Sequence, residues 1–392
     1  MGLRSEIKVY SPDLEWLAEI DAYESLEFED CFSEIGSFEL HIKINSPGTE
    51  FLIEDNLIII AGDNKKCGEI DTRIVSHDDD GVEKWVISGR TLNGRVDSRV
   101  TYPPLTGEED EEGLLYDEIT DAASNVMHHL INKNMINADD KNRNINQFML
   151  PDKRSLGPVI YKKTRYKKLD EELLSIAETN GVGWRCFIDF KSGKRLFDFY
   201  LGTDRSIAQN ANKPIVFSDE RDNISSFDYT SSSAEYKNYA IVAGEGEAEE
   251  REFIFISNTS DITGLSRREI FIDARDVQTD EDAEEDEEAT GANGETLEQR
   301  GQRKLSENSK INKLVAEVFD VEGYRYNIDY FLGDIVTVQK KSWGVTMNTP
   351  ITKVTEVWDP TGYTVTPLFG KDQATLTEKI KAKFNERDEV IR

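Results

Sequence analysis

The chain has 392 residues, 47 of them basic and 77 acidic, for a formal net charge of -30. A hydrophobic fraction of 38% with 9% aromatics is too rich for a disordered acidic tail, and the length suits about two or three folded domains. The charge excludes duplex binding and docking on an anionic membrane, since both need a basic face and the one short basic run is Lys162–Lys168.

The first hundred residues read as strands. Phe38, Leu40, Ile42 and Ile44 alternate with Glu39, His41 and Lys43, Leu57–Ile60 is a β-branched run, and Ile70–Val75 and Trp85–Ile87 flank the turn Asp78–Gly81. Short, regularly spaced strands of this kind suggest a small barrel or sandwich. The character changes at Tyr102, where Pro103, Pro104 and the acidic Glu108–Glu112 mark a loop. Leu114–Met135 has helical spacing, Asn132–Asn146 is polar, and a second helix is expected from Lys168 to Thr179, ending before Gly181. Strands follow at Val182–Phe190, Arg195–Leu201 and Pro214–Phe217, making the middle region α+β. Strands return at Ile224–Tyr229, Tyr236–Ala243 and Phe253–Ser257; Thr296–Val318 reads as a helix, strands resume at Tyr324, and Ala374–Arg392 reads as a charged helix or tail. The expected division is 1–102 and 224–370 as two similar β-barrel domains, 103–223 as an inserted α+β domain, and 371–392 as a tail.

Two segments echo one another. Ile53–Arg90 and Phe331–Gly370 each open at a turn residue, Asn56 or Asp334, and run through a β-branched strand and a second strand to an acidic turn ending in Gly81 or Gly362. Each closes on an alternating strand. Two similar barrels per chain have a geometric consequence: three chains in a ring present six of them, which suits a six-fold partner.

The chemistry-bearing residues are unremarkable. Cys31, Cys67 and Cys186 form no CxxC pair and are expected to be buried and inert. His41, His77, His128 and His129 form no HExxH, and the adjacent pair point about 100° apart on a helix. There is no GxSxG, no calcium loop and no P-loop. Trp184, Trp343 and Trp358 could stack on a sugar but sit in strand patterns that usually form core or interface. No cofactor or metal is expected, and the chain is expected to be no enzyme. There is no cationic start followed by an apolar run, and the longest apolar stretch, near Leu57–Ala61, is far below the ~20 residues of a membrane span. The strongest anomaly is Asp276–Glu288, with nine acidic residues in thirteen, which like-charge repulsion keeps extended.

The runs FEDCFSEIGSFELHIKIN and VISGRTLNGRV, and the closing FLGDIVTV with ITKVTEVWDPTGYTVTPLFG, resemble the siphophage tail-hub family of minor tail and baseplate hub proteins. The resemblance covers most of Leu26–Arg95 and Ser225–Gly370 and carries no catalytic motif. It implies a homotrimer that closes the distal end of the tail tube, with two tube-like barrels per subunit making a pseudo-six-fold ring and DNA passing through it. Its partners would be a hexameric tail-tube or distal tail ring, the tape-measure protein and other tail-tip or fibre proteins, in a virion made in the host cytoplasm. Within that ring, Asn56, Leu57, Ile58, Ile59 and Ile60 would be equivalent to Asp334, Ile335, Val336, Thr337 and Val338 as interface strands. Asp280, Glu281, Asp282, Glu284, Glu285, Asp286, Glu287 and Glu288 would face an acidic lumen. Two other readings stay open: a receptor- or sugar-binding tail-tip module using the middle domain, and a cell-wall hydrolase using a carboxylate pair.

Overall fold

Period-two burial fixes the first strands. In β1 (Ile7–Tyr10), β2 (Trp16–Ile20), β3 (Ser25–Cys31) and β4 (Ser37–Lys43) the apolar residues point to one side. They form one core with β5 (Leu57–Ile60), β6 (Asp63–His77) and β7 (Glu83–Thr91). Ile7, Leu26, Phe28, Leu40, Ile42, Ile58 and Ile87 are all 0% exposed, each stabilising the fold by about 1.5–3 kcal/mol. The computed structural model describes residues 5–77, 83–104, 115–221, 223–246, 251–258, 260, 262–275, 277, 296–318 and 324–370. The turn Asp78–Gly81, most of Asp276–Glu288 including Asp280–Glu288, and the tail Ala374–Arg392 lie outside them.

The middle region holds β8 (Asp117–Ala122), α1 (Ala123–Ile131), β9 (Phe148–Met149), β10 (Val159–Thr164), α2 (Leu169–Asn180), β11 (Gly183–Asp189) and β12 (Lys194–Tyr200). The helix expected from Leu114 therefore starts only at Ala123. The stretch before it, with β-branched Ile119 and Thr120, pairs antiparallel with β10 from Asp117↔Thr164 to Ala122↔Val159. The α2 helix follows expectation: Asp170, Glu171 and Glu172 occupy its first turn and Gly181, at φ 64°, ends it. Trp184, Phe197, Leu130 and Leu173 share a core with Leu57, Ile59 and Cys67, so this region packs on the face of β5 and β6 opposite the first core, which takes Ile58, Ile60 and Ile70.

The second β region contains β13 (Val216–Ser218), β14 (Ile224–Ser232), β18 (Ile311–Val318), β19 (Ile335–Lys340), β20 (Val345–Asp359) and β21 (Gly362–Gly370). Between β14 and β18 stands a separate unit of β15 (Tyr239–Ala243), β16 (Phe253–Ser257), β17 (Glu269–Asp273) and α3 (Leu297–Glu307). Its sheet order is β16-β15-β17, and α3 covers one face through Leu297 and Leu305 against Val242 and Ile256. Gly301 permits that approach, because a Cβ there would lie 2.4 Å from Ile256 Cδ1. The single helix expected over Thr296–Val318 is thus two elements. Beyond Asn308 the chain becomes a strand, since β14 offers it a full antiparallel ladder from Ser232↔Ile311 to Ile224↔Val318.

The architecture is mainly β with a few helices, as expected, but the sheets do not close into barrels. A single open path runs β14-β18-β21-β20-β3-β4-β7-β6-β5-β1-β2, with β19 paired to β20 and β13 beside it. The reason is the middle of the path. After a register shift between Ile351 and Lys353, β20 continues past β19 and takes β3 as its neighbour, so the edge that could have closed one barrel joins two sheets.

Candidate functional site

The echo read in the sequence is a repeat in hydrogen bonds. The strand order β3-β4-β7-β6-β5 recurs as β14-β18-β21-β20-β19. In the first repeat Ile70 N donates to Asn56 O (2.9 Å), Asp55 N to Ile70 O (2.9 Å) and Asn56 N to Ile53 O (3.2 Å). In the second, Ile351 N donates to Asp334 O (3.0 Å), Gly333 N to Ile351 O (2.8 Å) and Asp334 N to Phe331 O (3.1 Å). The turn residue before the strand has positive φ in both, 68° at Asp55 and 88° at Gly333. The ladder shifts just after the aligned isoleucine in both, between Ile70 and Thr72 and between Ile351 and Lys353.

Asn56–Ile60 and Asp334–Val338 therefore occupy equivalent places. They are interior places: β5 lies between β1 and β6, and β19 between β13 and β20, so both edges of each strand are occupied within the chain. Leu57, Ile58, Ile60, Val336 and Val338 are 0% exposed. Asn56 donates from Nδ2 to Phe51 O (2.8 Å), while Asp334 accepts from Thr203 N and Arg205 Nε (both 2.8 Å). These strands form the floor of each repeat and offer no free edge.

The place where the repeats meet is the joint between β20 and β3. It pairs antiparallel from Lys353↔Cys31 to Trp358↔Leu26, and Phe32 N extends the ladder to Thr352 O (2.9 Å). The two repeats exchange large side chains across it. Trp358 of the second lies in the first core, and Phe32 of the first lies in the second core. The Phe32 ring fits against backbone, since a Cβ on Gly183 or Gly333 would come within 2.3 Å of its Cε2. Trp184 ties in the middle region, donating from its backbone N to Phe32 O (3.1 Å) and from Nε1 to Ser33 O (2.7 Å).

Charge is buried at the joint. Glu356, 1% exposed, accepts from Lys66 and from the Tyr363 hydroxyl. Lys66 also faces the Trp358 ring at 5.5 Å. Asp30 lies on β3 opposite Val354. Burial, helped by the negative charge of Glu356, pushes its carboxyl up to about 7 against the opposing pull of Arg185 and Lys66. Lys353 binds Glu29 at 3.1 Å. A second buried set links β12 to the floor of the first repeat: Arg195 binds Glu69 at 2.9 Å, and Arg95 binds the other Glu69 oxygen. Sequence reasoning missed Asp30, Phe32, Glu356 and the two glycines. Glu356 carried a readable signal, an acid at an inward position between Val354 and Trp358.

The remaining candidates separate. His129 meets Asp117 at 2.8 Å and His128 meets Pro151 O at 3.0 Å, on different partners as the helix demands. His41 lies beside Glu39, and the His77 side chain is outside the described set. No cluster of three metal-ligating side chains occurs among the described residues. All three cysteines are buried and free, and burial pushes their thiols up. Trp184 and Trp358 are core, while Trp343 is 50% exposed. A surface hollow lined by Lys65, Asp152, Arg154, Arg185 and Asp198 holds two carboxylates, but Asp198 is bound by both Arg154 and Arg185. No described helix is long and apolar enough to cross a membrane.

A family model described as Siphovirus ReqiPepy6 Gp37-like protein matches residues 6–371, and the chain belongs to that family of phage tail proteins. The fold is similar to three solved tail proteins. A prophage MuSo2 43 kDa tail protein from Shewanella oneidensis gives a TM-score of 0.57 at 13% identity, over 93% of this chain and 98% of that one. The tail protein from Neisseria meningitidis MC58 gives 0.56 at 13% identity, over 94% and 97%. Prophage tail protein gp18 from Listeria monocytogenes EGD-e gives 0.54 at 11% identity, over 97% and 99%. No curated protein sequence matches the chain.

Proposed function

For a phage tail protein of this family we propose the role of a tail-tip hub: a homotrimer that closes the distal end of the tail tube and adapts its six-fold symmetry to a three-fold tip. One observation carries the reading. A single chain holds two repeats with the same strand order and the same turn hydrogen bonds, so three chains supply six equivalent units to a six-fold ring. The repeats correspond to the tube-like domains at 1–102 and 224–370, and the region 103–223 braces them and reaches neighbouring tip proteins. The partners are the last hexameric tube or distal tail ring, the tape-measure protein and fibre proteins. The net charge of -30 suits a conduit to which DNA must not adhere, with Asp280–Glu288 toward the lumen. The role is structural rather than catalytic.

An averaged electron-microscopy map of the parent particle's tail end tests this. Three copies in a closed ring beneath the tube are expected, and placement on peripheral arms, or absence from the particle, overturns it. A second reading rests on the outer face of the β16-β15-β17 sheet, where Phe255 is 61% and Phe271 57% exposed. It makes this unit a receptor-binding module. Binding of the purified chain to host cells, lost in Phe255→Ser, supports that reading; no binding by the purified chain removes it.

A further inference from the structure

The β20–β3 joint has a counterpart that the chain leaves open. The ladders align the repeats residue by residue: Ile70 pairs with Gly89 as Ile351 pairs with Phe369, and Ser25 pairs with His41 as Ser226 pairs with Glu317. Thr72 then corresponds to Lys353, Val75 to Glu356, Phe28 to Tyr229 and Cys31 to Ser232. Inside the chain, the edge Lys353–Trp358 is filled by Leu26–Cys31. Its counterpart, Thr72–His77, has β7 on one side and no described strand on the other. The counterpart of β3 is β14, which ends the strand path, with β18 on one side and no described strand on the other.

We propose that these two open edges are complementary between copies. Thr72–His77 of one chain pairs antiparallel with Phe227–Ser232 of the next, in the register Thr72↔Ser232, Ile74↔Thr230 and Val75↔Tyr229. The inference deepens the hub reading and rests on it, because it names the joint that makes the ring.

Three observations carry it. The in-chain joint is a worked example of the same contact between the same two strand types. The open edge Thr72–His77 contains no lysine and no proline, its one arginine, Arg73, lies over the Trp85 ring at 4.3 Å, and Ile74 and Val75 are 53% and 49% exposed. In the proposed register Val75 meets Tyr229, an apolar–aromatic cross-strand pair of the kind that stabilises sheets. The contact uses a different surface on each copy, so it is head-to-tail and excludes a two-fold dimer, and a three-fold rotation between copies closes it into the ring.

Engineered disulfides test the register. Directly opposed residues of an antiparallel pair have Cα atoms about 4.5–5.5 Å apart, within disulfide range. The native cysteines are all buried and do not compete. The double variant Ile74→Cys/Thr230→Cys is supplied to the parent phage, and purified particles are oxidised and run on a non-reducing gel. Chain-to-chain cross-links up to the full ring are expected. The out-of-register control Ile74→Cys/Ser231→Cys, whose second cysteine points to the opposite sheet face, is expected to give none. Particles that contain the chain but no cross-link, or that cross-link equally with the control, overturn this joint while leaving the hub reading intact. Particles with the wild-type chain absent overturn the hub reading itself.

Discussion

Asp30 gives the joint a pH dependence that can be measured. Its carboxyl is lifted from 3.8 to about 7, so the folded chain holds a proton there that the unfolded chain releases. A carboxyl raised in this way contributes stability that is complete below about pH 3.8 and is lost as pH rises through about 7. At about 1.4 kcal/mol per pH unit, the full span from 3.8 to about 7 corresponds to roughly 4 kcal/mol. About half of that, ~2 kcal/mol, is lost between pH 5.5 and 8.5, a range that avoids the isoelectric point near 4.6. Asp30 keeps partial exposure, which reduces the change to about 1 kcal/mol. Asp30→Asn keeps the shape and stays neutral, so its stability relative to wild type should rise by about 1 kcal/mol from pH 5.5 to 8.5. Urea unfolding of both proteins at the two pH values measures it. A difference between them that is the same at both pH values refutes the burial of Asp30 as a protonated group.

Further substitutions probe the packing. Gly89→Ala would place a Cβ 1.9 Å from Glu69 O and 2.7 Å from Phe38 Cε1. It should cost about 3 kcal/mol or more in chemical denaturation, whereas Gly193→Ala, at φ 67° with nothing within 4 Å, should cost only about 1–2 kcal/mol. Arg195→Leu leaves Glu69 with only the more exposed Arg95 and should cost about 3 kcal/mol, much of it recovered in the Glu69→Leu/Arg195→Leu double variant. Phe32→Ala should cost about 3–5 kcal/mol and, by loosening the joint, make the β3–β20 amides exchange with solvent well before those of β6–β7 in hydrogen-exchange mass spectrometry.

The local signals in the sequence were strong wherever one face of a strand is buried and the other is wet. β4, β11 and β12 follow from alternation, β5 from its continuous apolar run, which is buried on both faces, and α2 from its acidic first turn and Gly181. The repeat was legible because Asn56 and Asp334 mark the same turn. The misreadings came where pairing overrides spacing. Asp117–Ala122 and Ile311–Val318 have patterns compatible with a helix, and only the waiting edges of β10 and β14 make them strands. Barrel closure was not readable either, because whether β20 ends beside β19 or continues to β3 depends on the bulge after Ile351, a backbone event with no residue signature. The joint itself combines Phe32, Gly183, Gly333 and Glu356 from four distant segments, so no local window contains it.

The two joints also differ in a way that fits their separate tasks. The in-chain joint is charged: Glu356 is buried with Lys66, and Lys353 holds Glu29. At the matching positions of the proposed joint between copies stand Val75 for Glu356, Thr72 for Lys353 and Thr230 for Glu29. Burying an ion pair costs several kcal/mol of desolvation per charge, and the loss is recovered only in well-formed geometry. A contact made during folding of one chain can rely on the rest of the core to hold that geometry. A contact between separate chains must also offset lost translational and rotational freedom, and an apolar cross-strand pair such as Val75 with Tyr229 does so without the desolvation cost of a buried ion pair. On this argument the charged joint gives the chain a fixed angle between its repeats, and the proposed edges, whose only acidic, lysine or arginine side chains are Arg73 and Asp228, would let copies carrying that angle join in sequence. The curvature of the ring would then be set within each chain before assembly begins.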